Sequence, residues 1–544
     1  MPVLVAVDLV AIQRFVFQSN RLKDAVGGSQ IAEWATSTEG LVGELAPGAA
    51  LVGAGGNAIL EFEGTDAADA AKRFTARYTR RLLQEAPGLE AAVAHRSYER
   101  GDLAKALLAL QVDLGCAKTE LRASAPLLGL GVTAVCRETG RPAVDVVQED
   151  EAWIPVSGTV KAARDRRDEA KKRWARRFLE GLPLQDGVGR VEFPLELDDL
   201  GRTEHERSLL GVVHVDGNGI GATIGKWLRQ HVEKGTDDEL VRDEHREWSG
   251  ELTRLGEHAL TQVVRRVAAA LRPGTDNDAV TVTGTVADLN FALKREDGTT
   301  WLPLRPILLG GDDLTFVCDG RLALDLAVTA AQALEGTLTH LGPVSACAGV
   351  AVVPVHAPFI RAYQLAEALC QQAKRARERE QWSGGAVDWH IGAVRPGTSV
   401  EALRERHYQG KGGVELTARP YPLNGQGGLS WSWLRDELLG QEDTGLRGRY
   451  WSERHAKAVQ LGRLAGDGED EVGRALERWR ISEPKLKLPR LIEQASTTSA
   501  HPCSTRWSCS TGRSSWPSPP EVAGGDRAPH DHRRPALRRG VRAG

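Results

Sequence analysis

The chain has 544 residues, 41% of them hydrophobic, and a formal net charge of −3. That length suffices for three or four domains with buried cores, and the near-neutral balance excludes a chain that binds nucleic acid by bulk charge. No run approaches 18 uninterrupted apolar residues, so a conventional membrane span is excluded.

The N-terminal VLVAVDLV is an apolar strand holding one acid, Asp8. With that acid and no basic leader, it reads as a buried strand rather than a signal peptide. QSNRLKDAVGGSQIAEW (residues 18–34) follows, a basic, glycine-bearing segment whose plain reading is a helix with a glycine break. ALVGAGGNAILEF (50–62) sets a double glycine between apolar runs, and a helix, the strand LEAAVAH and a helix to Lys118 come after it. The next stretch contains AVCRETGRPA (134–143), with Cys136 alone, and KAARDRRDEAKKRWARRF (161–178), a predicted helix with nine basic residues against three acidic ones. Such a helix is a solvated face or a surface for RNA or a partner.

LLGVVHVDGNGIG (209–221) is an apolar strand ending in Asp216 and a glycine-rich bend, with a predicted helix over about 222–233. Residues 234–300 read as an insertion: a polar loop, a helix around 251–271 and a hairpin through VTVTGTV. ILLGGDDLTFVC (307–318) then places Gly310, Gly311, Asp312 and Asp313 in a tight turn between two strands. Carboxylates are hard ligands suited to magnesium or manganese, and glycine leaves the main chain open to a phosphate. A solvated turn is the plain alternative. Asp216 beside this hairpin answers to the needs of two-metal phosphoryl transfer, with ions about 3.5–4 Å apart. Asp216 and a hairpin Asp would bridge them, and the Gly217 carbonyl would add a ligand. Downstream, the strand SACAGVAVV (345–353) precedes a helix from Ala362 that ends in a basic cluster with Lys374. Lys374 either reaches the terminal phosphates of a triphosphate or compensates the helix C-terminus.

The first half repeats the second in weakened form. Gly55 lies 63 residues before Lys118 and Gly310 lies 64 before Lys374, with the same order of elements between them. The acidic pair is replaced by Asn57 and Ala58, so the first copy is expected to be catalytically silent and to pack against the active one.

Asp216, the GGDD hairpin, SACAGVAVV, the helix ending in Ala373 and Lys374, and AVDWHIG (386–392) resemble the second palm of the large polymerase-like subunit of type III CRISPR complexes. More distantly, the segment is similar to GGDEF-type nucleotide cyclases. The resemblance implies an α+β chain with two ferredoxin-like βαββαβ palms in tandem. It also implies condensation of nucleoside triphosphates, usually ATP, into cyclic oligonucleotides that signal to a downstream effector in antiviral defence. Catalysis then falls to Asp216, Asp312 and Asp313, with Asp216, Gly217, Asp312 and Asp313 on two Mg2+ or Mn2+ ions. Gly217, Asn218, Gly219, Gly310, Gly311 and Lys374 contact nucleotide. Asn218 departs from the pattern, since relatives often carry a third acid there; an amide can still coordinate through its oxygen. Partners implied are guide-RNA complex subunits and target RNA, with no membrane. Relatives often carry a zinc module between the palms, and AVCRETGRPA stands in its place. Cys116, Cys136, Cys318, Cys347 and Cys370 show no CxxC spacing, so no zinc is expected; unpartnered, they point to a reducing cytoplasm. The first palm starts at residue 3, so no HD nuclease domain and no single-stranded DNA cleavage are expected.

The domains expected are a degenerate first palm (1–125), a connecting region with the basic helix (126–205), the GGDD palm (206–400), a C-terminal helical domain (401–495) with Trp431 and Trp433 in packing roles, and a disordered tail (496–544). From Thr497 the chain has eight arginines and no lysine, an abrupt change that a shifted reading frame would explain. Two other readings stay open: a mainly structural subunit of an RNA-guided complex, and a stand-alone cyclic mono- or dinucleotide cyclase.

Overall fold

The computed structural model describes residues 1–481 apart from 122–130, 150, 201–207, 275–278, 285–288, 394–396, 412–414, 426–428 and 441–444. The tail from Thr497 lies outside the described residues.

The alternation of VLVAVDLV is apolar on both faces, which suits a strand covered on both sides. It forms β1 (Val3–Val10), the middle of a sheet with β2 (Ala50–Ala54), β3 (Asn57–Phe62) and β4 (Glu90–Ser97) in the order β2-β3-β1-β4. That is the ferredoxin-like order expected. One face of β1, through Val3, Val5 and Val7, packs on α1 (Leu22–Thr36) and α2 (Ala67–Glu85). The other face, through Leu4 and Ala6, packs on α3 (Leu103–Glu120) and on helices of the second palm.

Helix α1 runs unbroken through Gly27 and Gly28, where a glycine break was the plain expectation. The cause is non-local: a methyl group on Gly27 would overlap the Ala163 carbonyl of α4 (Gly158–Phe178), so glycine lets two helices cross at backbone contact. Helix α4 is the basic helix, and the expectation of a solvated or RNA-facing surface needs correction. Arg164 binds Asp24 (2.9 Å), Arg173 binds Glu33 (2.5 Å), Lys171 binds Glu192 (2.5 Å) and Arg177 binds Glu257, while Trp174 and Phe178 are buried. Its cations serve mainly as internal struts.

The second palm has β5 (Leu209–Gly217), α5 (Ile220–Lys234), α6 (Asp238–Ala269), β6 (Leu304–Leu309), β7 (Leu314–Asp319), α7 (Ala323–Ala333), β8 (Ala346–Pro354), α8 (Phe359–Arg379), β9 (Ala386–Ile391) and β10 (Tyr421–Pro422). The sheet order is β6-β7-β5-β8-β9-β10. Its first four strands repeat the order of the first palm; β9 adds on parallel to β8, and β10 extends the sheet to Pro422. The polar start of the insertion is helix, not loop. Asp238 accepts from Gly101 N (2.7 Å) and Leu103 N (2.8 Å), and Arg242 grips Glu61 (2.7 and 2.9 Å), so docking on the first palm orders it. The hairpin read through VTVTGTV pairs Val280–Thr283 with Asn290–Ala292, its turn lying partly outside the described residues. Helices at 400–408, 455–465 and 469–478 follow, and Trp431 and Trp433 are buried in the core as expected. Among the described residues no helix is long and apolar enough to cross a membrane.

Candidate active site

Register builds the site. Strand β7 pairs with β5 so that Leu314 faces Val215, and Gly217 N donates to Asp312 O (3.1 Å). Continuing this pairing by one residue sets Asp313 opposite Asp216, so both carboxylates leave the same face of the sheet. Asp312 lies over Gly217, where a Cβ would stand 2.7 Å from the Asp312 carboxylate. Gly217 is therefore the residue that admits Asp312.

From the covering helix, Lys374 Nζ bonds Asp216 Oδ2 (2.6 Å) and Gly217 O (2.6 Å). These are two of the oxygens expected to hold a metal ion, and an ammonium held between them shows that they are placed to bind positive charge. Asp312 and Asp313 have no such compensation. Burial, then Asp216 and the neighbouring hairpin acid, pushes Asp312 up to about 6. Burial, then Asp216 and Glu367, pushes Asp313 up to about 7, although 34% of its side chain is accessible. Asp313 Oδ1 makes no hydrogen bond. Clustered carboxylates in a site that disfavours their ionised forms suit a hard divalent cation. Among the described residues no three His, Cys, Asp or Glu side chains form a preformed cage; a cation would have to displace Lys374 to use Asp216 and Gly217 together.

The glycines divide by role. A methyl group on Gly310 would lie 3.4 Å from the Cα of Gly55 in the first palm, and a methyl group on Gly256 of α6 would overlap the Gly311 carbonyl. Protein thus packs on one side of Gly310 and of Gly311, and both residues stay partly exposed. Gly219, in the left-handed region at φ 67°, has open space around it and precedes the N-terminus of α5. Asn218 donates from Nδ2 to Ser345 Oγ (2.9 Å), which leaves Oδ1 buried and unpartnered.

Two neighbours were missed in the sequence. His214 Nδ1 lies 3.4 Å from Asp313 Oδ1 and 3.1 Å from Thr315 Oγ1, and burial lowers its pKa. Its place two residues before Asp216 on a strand was the available signal. Glu367, seven residues before Lys374 on α8, adds negative potential at Asp313 and His214. The first palm braces this side: Phe17 stacks on Tyr363 at 4.5 Å, and Asn20 Oδ1 accepts from Phe359 N (3.0 Å) at the start of α8.

Residues 209–383 match the family model described as Cas10/Cmr2, second palm domain, so the expected resemblance to the large type III CRISPR subunit is borne out. No curated protein matches the chain. Among solved structures, the apo Csm1–Csm4 cassette is 13% identical at a TM-score of 0.51, covering 93% of this chain and 69% of that one. The Csm1–Csm4 cassette in complex with one ATP is 13% identical at 0.48, covering 93% and 69%. Csm1 of T. onnurineus is 13% identical at 0.46, covering 93% and 68%. The first of these shows a shared fold across both palms.

Proposed function

We propose that the chain is a metal-dependent nucleotidyltransferase of the type III CRISPR kind, condensing ATP or another triphosphate into a cyclic oligonucleotide. The observation that carries this reading is the convergence of Asp216, Asp312 and Asp313 beside the open N-terminus of α5, within the segment matched to the Cas10/Cmr2 palm. Two Mg2+ or Mn2+ ions on these carboxylates would polarise the attacking hydroxyl and offset charge on the reacting phosphate. The bond formed joins a 3′-oxygen to an α-phosphorus, and the bond broken releases pyrophosphate. Gly217 keeps Asp312 close to Asp216. Gly219 and the first amides of α5 offer bare donors to a triphosphate. Lys374, once off Asp216, neutralises charge on the leaving pyrophosphate. The first palm acts as a wall and brace. Since the similar fold at TM-score 0.51 is a Csm1–Csm4 cassette, docking on a further complex subunit belongs to the same proposal.

Incubating the full chain with each labelled triphosphate and Mg2+ or Mn2+ tests the reading. A cyclic product that Asp312→Ala/Asp313→Ala abolishes is expected. No product from a folded chain that still binds triphosphate would assign the activity to an assembled complex; no metal-dependent triphosphate binding at all would favour the structural reading.

A further inference from the structure

The sequence singled out α4 as the basic surface, and the structure spends most of its cations internally. A different helix carries the unspent charge. Helix α2 is amphipathic: Ala67, Ala71, Phe74, Tyr78 and Leu82 are buried against the first palm, and the opposite stripe faces solvent. Between Asp69 and Glu85 it has five cations and no acid. Arg81 is engaged by Glu44 and Glu85, and Arg73 by Asp66 (2.6 Å). Lys72 is 74% exposed and only 3.8 Å from Asp69 at its nearest. Arg77 and Arg80 are exposed and, among the described residues, have no carboxylate partner.

We propose that this outer face of α2, through Lys72, Arg77 and Arg80, binds the phosphate backbone of a nucleic acid. The three cations spread over the outer face of the helix, about 140° of its circumference and about 12 Å along its axis at 1.5 Å per residue, a patch matched to more than one phosphate rather than to a single anion. Guanidinium groups suit phosphate oxygens by their paired donors. The stripe shows no aromatic side chain on which a base could stack, so contact is with the backbone and carries no base preference. This surface is remote from the acidic site in sequence and chemistry, and the inference does not depend on the proposed reaction.

The test is fluorescence anisotropy of the full chain with short labelled single-stranded RNA and DNA over roughly 50–200 mM salt, with no triphosphate present. Arg77→Glu/Arg80→Glu is compared with Lys172→Glu/Arg176→Glu on exposed positions of α4, an equal change of charge. All are exposed helix positions where glutamate is a good helix former, so folding should be kept, which melting curves check. The arginine-rich residues after Thr497 are common to all three proteins and drop out of the difference. Binding is expected to weaken about tenfold at low salt in the α2 variant alone. Its slope of log affinity against log salt should shrink by roughly 1.4, about 0.7 for each phosphate contact removed. Unequal binding of RNA and DNA would still support the contact and identify the source of the phosphates. No binding by the unaltered chain, an equal loss in the α4 variant, or an unchanged slope would overturn the proposal.

Discussion

The two palms carry the same lysine–aspartate pair and differ in what stands beside it. Lys118 Nζ lies 2.6 Å from Asp8 Oδ2, as Lys374 Nζ lies 2.6 Å from Asp216 Oδ2. The first-palm lysine is 43% exposed and the second 17%. Because the first palm keeps the pair without the hairpin acids, the pair alone does not distinguish the palms; the hairpin does. There the ladder bond Leu9 N to Gly56 O (2.8 Å) corresponds to Gly217 N to Asp312 O (3.1 Å). Gly56 and Asn57, not Asn57 and Ala58, therefore hold the places of Asp312 and Asp313. A side chain at Gly56 would have to push aside the tip of Ile12 and adopt a strained φ of 86°, so the first palm disfavours a carboxylate at the position where the second carries one.

That comparison breaks most readily at the lysines. If Lys374 meets developing charge in the reaction, Lys374→Met should lower turnover on the order of a hundredfold. Lys118→Met, removing the same bond from an exposed pair, should change it less than about threefold, since exposed ion pairs contribute little. Turnover assays on the two variants decide it; equal losses would mean that both pairs act only through the fold.

A smaller effect is expected where α6 touches the GGDD turn. Gly256→Ala places a methyl group against the Gly311 carbonyl, and overpacking of this kind costs about 1–3 kcal/mol. It should also move the turn, so turnover falls along with the denaturation midpoint. Gly221→Ala, in open space on α5, is the control: helix propensity predicts no loss of stability there.

How much of this was legible from the sequence depends on the range of the forces involved. Strands β1 and β5, both glycine hairpins and the helix bearing Lys374 follow from local periodicity and turn chemistry. The single-residue offset between the palms is only hinted at, since Gly311 and not Gly310 repeats the 63 residues from Gly55 to Lys118; the ladder hydrogen bonds fix it. Contacts between distant residues were likewise hidden. Gly27 looks like a break until Ala163 lies against it, the arginines of α4 look free until Asp24 and Glu33 meet them, and the polar half of α6 looks like a loop until Glu61 and the start of α3 receive it.

The uncompensated hairpin acids should also leave a mark on stability, with opposite signs in the two palms. In the fold Asp312 and Asp313 hold protons up to about 6 and about 7, against an ordinary value of 3.8. Between those limits the folded state binds protons that the unfolded chain has released, so stability falls as pH rises from about 4 to about 7. Asp312→Asn/Asp313→Asn removes that loss, and at pH 8 without divalent ions its Tm should exceed that of the unaltered chain by a few degrees. The gap should vanish near pH 4. Mg2+ should raise Tm only in the unaltered chain, by the usual linkage of ligand to fold. Asp8→Asn instead takes a partner from Lys118 and should lower stability, by no more than about 1 kcal/mol for so exposed a pair. Calorimetric scans across pH, with and without Mg2+, would show both signs; a hairpin variant less stable at pH 8 would mean that Asp312 and Asp313 support the fold and are not held there at its expense.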